Sequence, residues 1–345
     1  MSTHELRRRI QDLFADGLVT IVGSGLSCAE GLPGMGALAN RLKDVLPAQV
    51  STEDETAWTE VATQLNAGEG LELALHKVAI STALETAIVQ ATADFLLVEE
   101  AKVLVACLNS GRTLRFARLL PHLSPASHKL VDVITTNYDR LIEFAAESSG
   151  WGVDTGFIGR LWGRHNPMES DKSFAKAVVQ HSKAPKLLYR DRVRLYKPHG
   201  SLDWFEAFNG AVSSALPLAA KRLLITPGAG KYRQGYEQPF DSHREGANAA
   251  LDTAAAFLCI GYGFNDDHLQ THLTPRLKAG VPAVLLTHGL TEAAEAVIQA
   301  SANTIALIHH ADTNGTSIVT RIGREIVPDT RWWDLEHFIK GVLEP

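Results

Sequence analysis

Apolar residues run from Leu18 to Val22, with Thr20 the one polar member, and stop at Gly23-Ser24-Gly25. Further strand-like runs follow at Leu130–Thr136, Arg192–Lys197, Arg222–Thr226, Ala255–Ile260, Ala283–Thr287 and Thr304–Ile308. Each ends on glycine, proline, histidine or polar residues: Asn137-Tyr138-Asp139, Pro198-His199-Gly200-Ser201, Pro227-Gly228, Gly261-Tyr262-Gly263, His288-Gly289 and His309. Apolar strands that alternate with helical stretches predict a parallel sheet covered on both faces. Ligands of such sheets bind beyond the carboxyl ends of the strands. Asn137, His199, Gly228 and Gly261 are therefore expected on one rim with Gly23 and Gly25.

The helical stretches are equally readable. Leu6, Ile10, Leu13 and Phe14 mark an amphipathic helix over 4–16, and Leu38, Leu42, Val45 and Leu46 recur at helical spacing until Pro47. From 53 to 120 the chain is rich in Ala, Leu and Glu with almost no strand signal, which predicts a helical insert serving as scaffold or oligomer surface. Residues 140–148 form a helix, 150–190 an irregular excursion over the sheet edge, and Arg331–Leu343 a last helix carrying Trp332, Trp333 and Phe338. The expectation is a Rossmann-like α/β domain over 1–50 and 121–330, a helical insert over 51–120 and a C-terminal helix over 331–345.

Composition narrows the function classes. Of 345 residues, 45% are hydrophobic, enough for a sizeable core, and the net charge of −6 offers no field for nucleic acid. Arg7-Arg8-Arg9 is followed by mixed polar residues rather than a signal peptide, and no apolar stretch reaches the roughly 20 residues of a membrane span. A soluble, cytoplasmic protein is expected, with no membrane and no direct nucleic-acid partner. The three cysteines, Cys28, Cys107 and Cys259, lie far apart, which argues against a cysteine zinc site or a disulfide framework.

The glycine turn suits a phosphate approaching backbone amides at a helix start. It departs from the dinucleotide fingerprint, because Cys28 stands where the third glycine is expected and Asp44 falls inside a helix pattern. A dehydrogenase is thereby disfavoured, and no Gly-Lys-Ser/Thr supports a P-loop. Asp139 reads as a helix cap as readily as a ligand group. His199, directly after a strand, is the best general base on the rim. Asn265-Asp266-Asp267-His268 reads as a helix cap and first turn rather than a metal site, and His309-His310 as packing or rim residues.

Taken in order, Gly23-Ser24-Gly25-Leu26-Ser27 with Gly31-Leu32-Pro33, Thr135-Thr136-Asn137-Tyr138-Asp139 and His199-Gly200 resemble the sirtuin catalytic core. The stretch Ile260–His268 is similar to the sirtuin-like proteins of bacterial antiphage defence, which consume NAD+ rather than deacylate proteins. The resemblance implies that Gly23, Ser24, Gly25 and Ser27 cradle the pyrophosphate of NAD+, which serves as substrate. It implies that Asn137 and Asp139 position the nicotinamide ribose, a water and the carboxamide, that His199 sits beside the ribose hydroxyls, and that Gly261 and Tyr262 contact the adenosine half. Thr136 replaces the family's Gln, Gly34-Met35-Gly36 replaces its Asp-Phe-Arg, and the four-cysteine zinc module is missing, so no zinc is expected. An NAD+ glycohydrolase is the leading reading, with an NAD-dependent deacylase or a non-catalytic NAD+/ADP-ribose sensor as alternatives. The resemblance further implies a homo-oligomer and a separate partner, a HerA-type ATPase before a short Argonaute.

Overall fold

The computed structural model describes residues 3–123, 130–159, 161–180, 185–208, 210–226 and 237–344. Pro227 and Gly228, expected at the end of a rim strand, lie outside the described residues.

The main sheet is ordered Gly323–Val327, Gly315–Thr320, Thr304–His310, Ala283–Thr287, Ala256–Ile260, Leu18–Val22, Leu130–Thr135, Arg192–Tyr196 and Gly152–Asp154. From Thr304–His310 to Gly152–Asp154 all neighbours pair parallel. The chain leaves the central strand Leu18–Val22 toward Leu130–Thr135 and Arg192–Tyr196. It then restarts on the other flank with Ala256–Ile260. This is the Rossmann order, and it opens a crevice where the direction of progress reverses, above Leu18–Val22.

Alternate residues of each strand feed two cores. Leu18, Val22, Val133 and Leu258 pack against the helices Thr3–Gln11, Arg115–Leu123 and Leu141–Ser148. Val19, Ile21, Ile134 and Phe257 pack against Phe240–Thr253, Asp267–Lys278 and Glu292–Ala300. Strands buried on both faces must be apolar throughout, which is why Leu18–Val22 carries almost no polar residue.

Three parts differ from the sequence expectation. The run expected as a rim strand over 222–226 is instead Lys221–Leu224, in a separate antiparallel sheet with Gly200–Ala207, Gly210–Ser213, Gly163–His165 and Phe157–Ile158. The cause is Gly200, whose φ of +89° turns the chain at the end of the parallel sheet straight into a new strand. The excursion over 150–190 is also more regular than expected. It contains the edge strand Gly152–Asp154, the helix Pro167–Ser173 and the hairpin Ala175–Gln180/Pro185–Tyr189. Lastly, the C-terminal helix starts late: Asp334 caps it by accepting the amides of Glu336 and His337, so only Leu335–Phe338 and a π-type turn over Ile339–Leu343 are helical.

The stretch expected as an insert is helical: Glu55–Asn66, Leu71–Lys77 and Thr82–Ser110, with Arg115–Leu123 returning to the sheet. Its core of Trp58, Val61, Leu71, Leu75 and Ile88 also takes in Leu38 and Leu42 of the helix Met35–Val45. The helix Thr82–Ser110 is capped by Ser81 Oγ, which accepts the Leu84 amide at 3.0 Å, and ended by left-handed Gly111. It ties three cores together through Ile88, Ala93 and Val103. Among the described residues no helix is long and apolar enough to cross a membrane.

Candidate active site

Three glycines bring the two central strand ends into contact. A Cβ on Gly23 would stand 2.4 Å from Gly261 O, and one on Gly25 2.6 Å from Gly261 Cα. Gly261 itself is left-handed, with φ +57°. The amides of Gly23 and Gly25 donate to Ile260 O and Gly261 O, each at 3.0 Å. The glycines thus permit backbone contact, and these two amides are already engaged rather than free for a phosphate. Open space lies beside this contact, at the carboxyl ends of the strands.

That space is a cleft of about 430 Å³. All ten residues singled out from the sequence line it: Gly23, Ser24, Gly25, Ser27, Thr136, Asn137, Asp139, His199, Gly261 and Tyr262. Gly228 is the one rim candidate outside the described residues.

Beneath the cleft the polar side chains interlock. Asn137 Nδ2 donates to Gly23 O at 3.0 Å and to Ser27 Oγ at 2.8 Å, and Ser27 Oγ donates to Asp139 Oδ2 at 2.6 Å. Asp139 Oδ1 accepts the Leu141 amide at 3.2 Å, the local job a cap would perform. With its amide nitrogen spent, Asn137 keeps its Oδ1 as an acceptor for a donor in the cleft. Burial pushes the Asp139 carboxyl above the usual range, against the opposing charge of Lys197 and the Ser27 hydrogen bond.

Two buried charges that sequence reasoning missed hold this turn. Lys197 is fully buried and donates to Asp139 O at 2.6 Å, Glu143 Oε1 at 2.8 Å and Ser201 Oγ at 3.0 Å. Burial raises Glu143 to about 7 even beside this ammonium. Glu100, from the insert's long helix, accepts from both the Arg140 amide and its guanidinium, each at 2.5 Å. A lysine at a strand end and a glutamate on a helix give no sequence signal of burial.

His199 reaches the cleft from the loop after Arg192–Tyr196, its carbonyl accepting the Ile225 amide at 3.0 Å. Its Nε2 faces Asp266 Oδ2. Asp266 caps the helix Asp267–Lys278, as expected, by accepting the Leu269 amide at 3.0 Å. Tyr262 contributes a wall rather than a free side chain: its ring is buried against Phe264, and Gln270 donates to its hydroxyl at 3.1 Å. Glu72 and Leu96 also line the cleft, so the helical stretch expected as scaffold or oligomer surface shapes the site, together with Leu38 of the helix Met35–Val45. His309 stacks with His288 and Trp333, in keeping with a packing role.

A crevice lined by asparagine, aspartate and histidine at the switch point of a parallel sheet defines the class as an α/β protein with a polar cleft at its strand ends. Residues 131–299 match the family model described as a SIR2-like domain. Many solved structures are similar in outline. One, described as the structural basis for the mechanism and regulation of Sir2 enzymes, is 13% identical, with 86% of this chain and 90% of that chain covered and a TM-score of 0.39. A second, on the structural basis of sirtuin substrate affinity, is 15% identical over 85% and 90%, also with a TM-score of 0.39. A third, a Sir2 variant with a deacetylated p53 peptide and 3'-O-acetyl ADP-ribose, is 13% identical over 85% and 89%, with a TM-score of 0.38. No curated protein matches the chain.

The zinc module of protein-deacylating sirtuins does not fit these residues. Cys28 is exposed, whereas Cys107 and Cys259 are buried in cores on opposite faces of the sheet. Among the described residues no group of three or more His, Cys, Asp or Glu could hold a metal.

Proposed function

We propose that the chain is an NAD+ glycohydrolase, releasing nicotinamide and ADP-ribose from NAD+ and water. The observation that carries the reading is the convergence of Asn137 and His199, from separate strand ends, on the glycine-lined cleft at the sheet's switch point.

The chemistry asks little of the protein. The bond from ribose C1' to the pyridinium nitrogen is activated, because its electron pair leaves with a ring that becomes neutral. A water oxygen then bonds to C1' and loses a proton. The site has to seat the ribose, stabilise an oxocarbenium-like state and place that water. Asn137 Oδ1 orients the water or ribose, Asp139 faces the carboxamide, and His199 accepts a hydrogen bond or proton from a ribose hydroxyl. Ser24 and Ser27 flank the pyrophosphate, and Gly261 and Tyr262 the adenosine half. The misfit of the zinc module favours hydrolysis over deacylation, because that module helps form the acyl-lysine cleft.

The use of this activity for NAD+ depletion in antiphage defence, and a separate HerA-type ATPase partner, rest on the sequence resemblance. Chromatography of NAD+ incubated with the protein, with and without an acyl-lysine peptide, tests the reaction. Nicotinamide release without peptide is expected; release only with peptide would assign a deacylase.

A further inference from the structure

The geometry points to Asp266 as a positioning residue for His199, fixing which imidazole nitrogen carries the proton in the cleft. The inference rests on the reading of the site given above and adds the control of its base. His199 Nε2 lies 2.7 Å from Asp266 Oδ2, with the two side chains only 10% and 6% exposed. The two atoms are in close contact, though off the line of a straight hydrogen bond.

Asp266 is held from its other side. Oδ1 accepts the Leu269 amide at 3.0 Å, so the carboxylate is anchored to a helix start while Oδ2 is aimed at the ring. The backbone of His199 is pinned by the Ile225 amide and by the turn at Gly200, where a Cβ would meet Leu223 O at 2.1 Å. Both partners are therefore presented by fixed backbone. An imidazole beside a fixed carboxylate keeps its N–H on the nitrogen that faces it, which sets both tautomer and ring orientation. Here that nitrogen is Nε2. Nδ1 is then the unprotonated nitrogen, the one able to accept from a ribose hydroxyl. The same aspartate could pass as a plain helix cap, and the two roles separate experimentally because other residues cap equally well.

Asp266→Asn and Asp266→Ser both retain a capping side chain, and both remove the carboxylate. Both are expected to melt within a few degrees of the wild type. Their kcat for nicotinamide release should fall about 100-fold or more, with KM changed less than about threefold, as when the orienting acid of a catalytic histidine is neutralised. Wild-type kcat in both variants would overturn the proposal.

A second readout does not depend on turnover. Long-range 1H–15N spectra of histidine-labelled protein report the tautomer of His199, its signal identified by loss in His199→Gln. An Nε2-protonated ring in the wild type that shifts toward Nδ1 protonation in Asp266→Asn is expected. An identical tautomer in both proteins would refute the role of Asp266, whatever the activity. Absence of nicotinamide release from the wild type would instead count against the glycohydrolase reading, and the spectra would still decide the pair.

Discussion

Asn137 and Ser27, 110 residues apart in sequence, are joined by a 2.8 Å hydrogen bond from Asn137 Nδ2 to Ser27 Oγ. Through it the helix after the first strand fixes the side chain delivered by the second. Ser27 also donates to Asp139 Oδ2 at 2.6 Å, so one hydroxyl sets two groups of the cleft.

Ser27→Ala should therefore affect activity more than stability. Leaving buried Asp139 Oδ2 without this donor costs about 1–3 kcal/mol. Nicotinamide release should fall further than that destabilisation alone explains, because Asn137 loses a hydrogen bond that orients it. Steady-state kinetics beside a urea melt checks this; unchanged kcat would show that the Ser27 link is dispensable.

Lys197→Met should be severely destabilising. The ammonium is fully buried and bonds to Asp139 O, Glu143 and Ser201, so methionine leaves Glu143 buried without its cation. Breaking a buried pair in this way costs about 3–5 kcal/mol. Lys197→Met combined with Glu143→Leu should recover much of the stability but not the geometry of the Asn137 turn. Urea unfolding of the single and double variants measures both terms.

Much of this arrangement was legible in the sequence. The strands at 18–22, 130–135, 256–260, 283–287 and 304–310 announce themselves because burial on both faces demands largely apolar runs. Residues at the ends of the first four of them line the cleft, whereas His309 and His310 at the end of the last do not. The antiparallel sheet was not legible, since Gly200–Ala207 places Asp203 and Glu206 among buried Leu202, Trp204 and Phe205 without a clean period of two. Nor were Lys197, Glu100 and Asp266. Their residue types are ordinary at a strand end, on a helix and at a cap, and only tertiary pairing gives them a second task.

Gly261→Ala should unseat the contact between the two central strands. The new Cβ would fall 2.5 Å from Gly25 Cα and 2.6 Å from the Leu26 amide, in a backbone with φ +57°. Backbone cannot yield as a side-chain tip does, so a loss of more than about 3 kcal/mol is expected. A thermal melt within 2–3 °C of wild type, taken as under ~1 kcal/mol, would show that the approach is looser than this geometry requires.

Stability should also fall on mild acidification through His243. Burial, with the charges of His165 and Lys197 adding to it, lowers this histidine to about 3. Its Nδ1 accepts the Lys197 amide at 3.1 Å. Because the folded pKa is depressed, the contribution is complete above the unfolded value of about 6.5 and is lost as pH falls toward about 3. Glu143, raised to about 7, works in the opposite sense, losing its contribution as pH rises through that value. The informative quantity is therefore the difference between wild type and His243→Gln. Between pH 6.5 and 5 the wild type should lose about 2 kcal/mol more than the variant. Parallel stability curves would refute the assignment.

The most direct test of the whole account is to follow NAD+, nicotinamide and ADP-ribose in parallel for the wild type, Asn137→Ala and His199→Ala, with circular dichroism confirming that all three are folded. The account predicts equal amounts of nicotinamide and ADP-ribose from the wild type and almost none from either variant. Full activity in His199→Ala, or a wild type that binds NAD+ and leaves it intact, would contradict it.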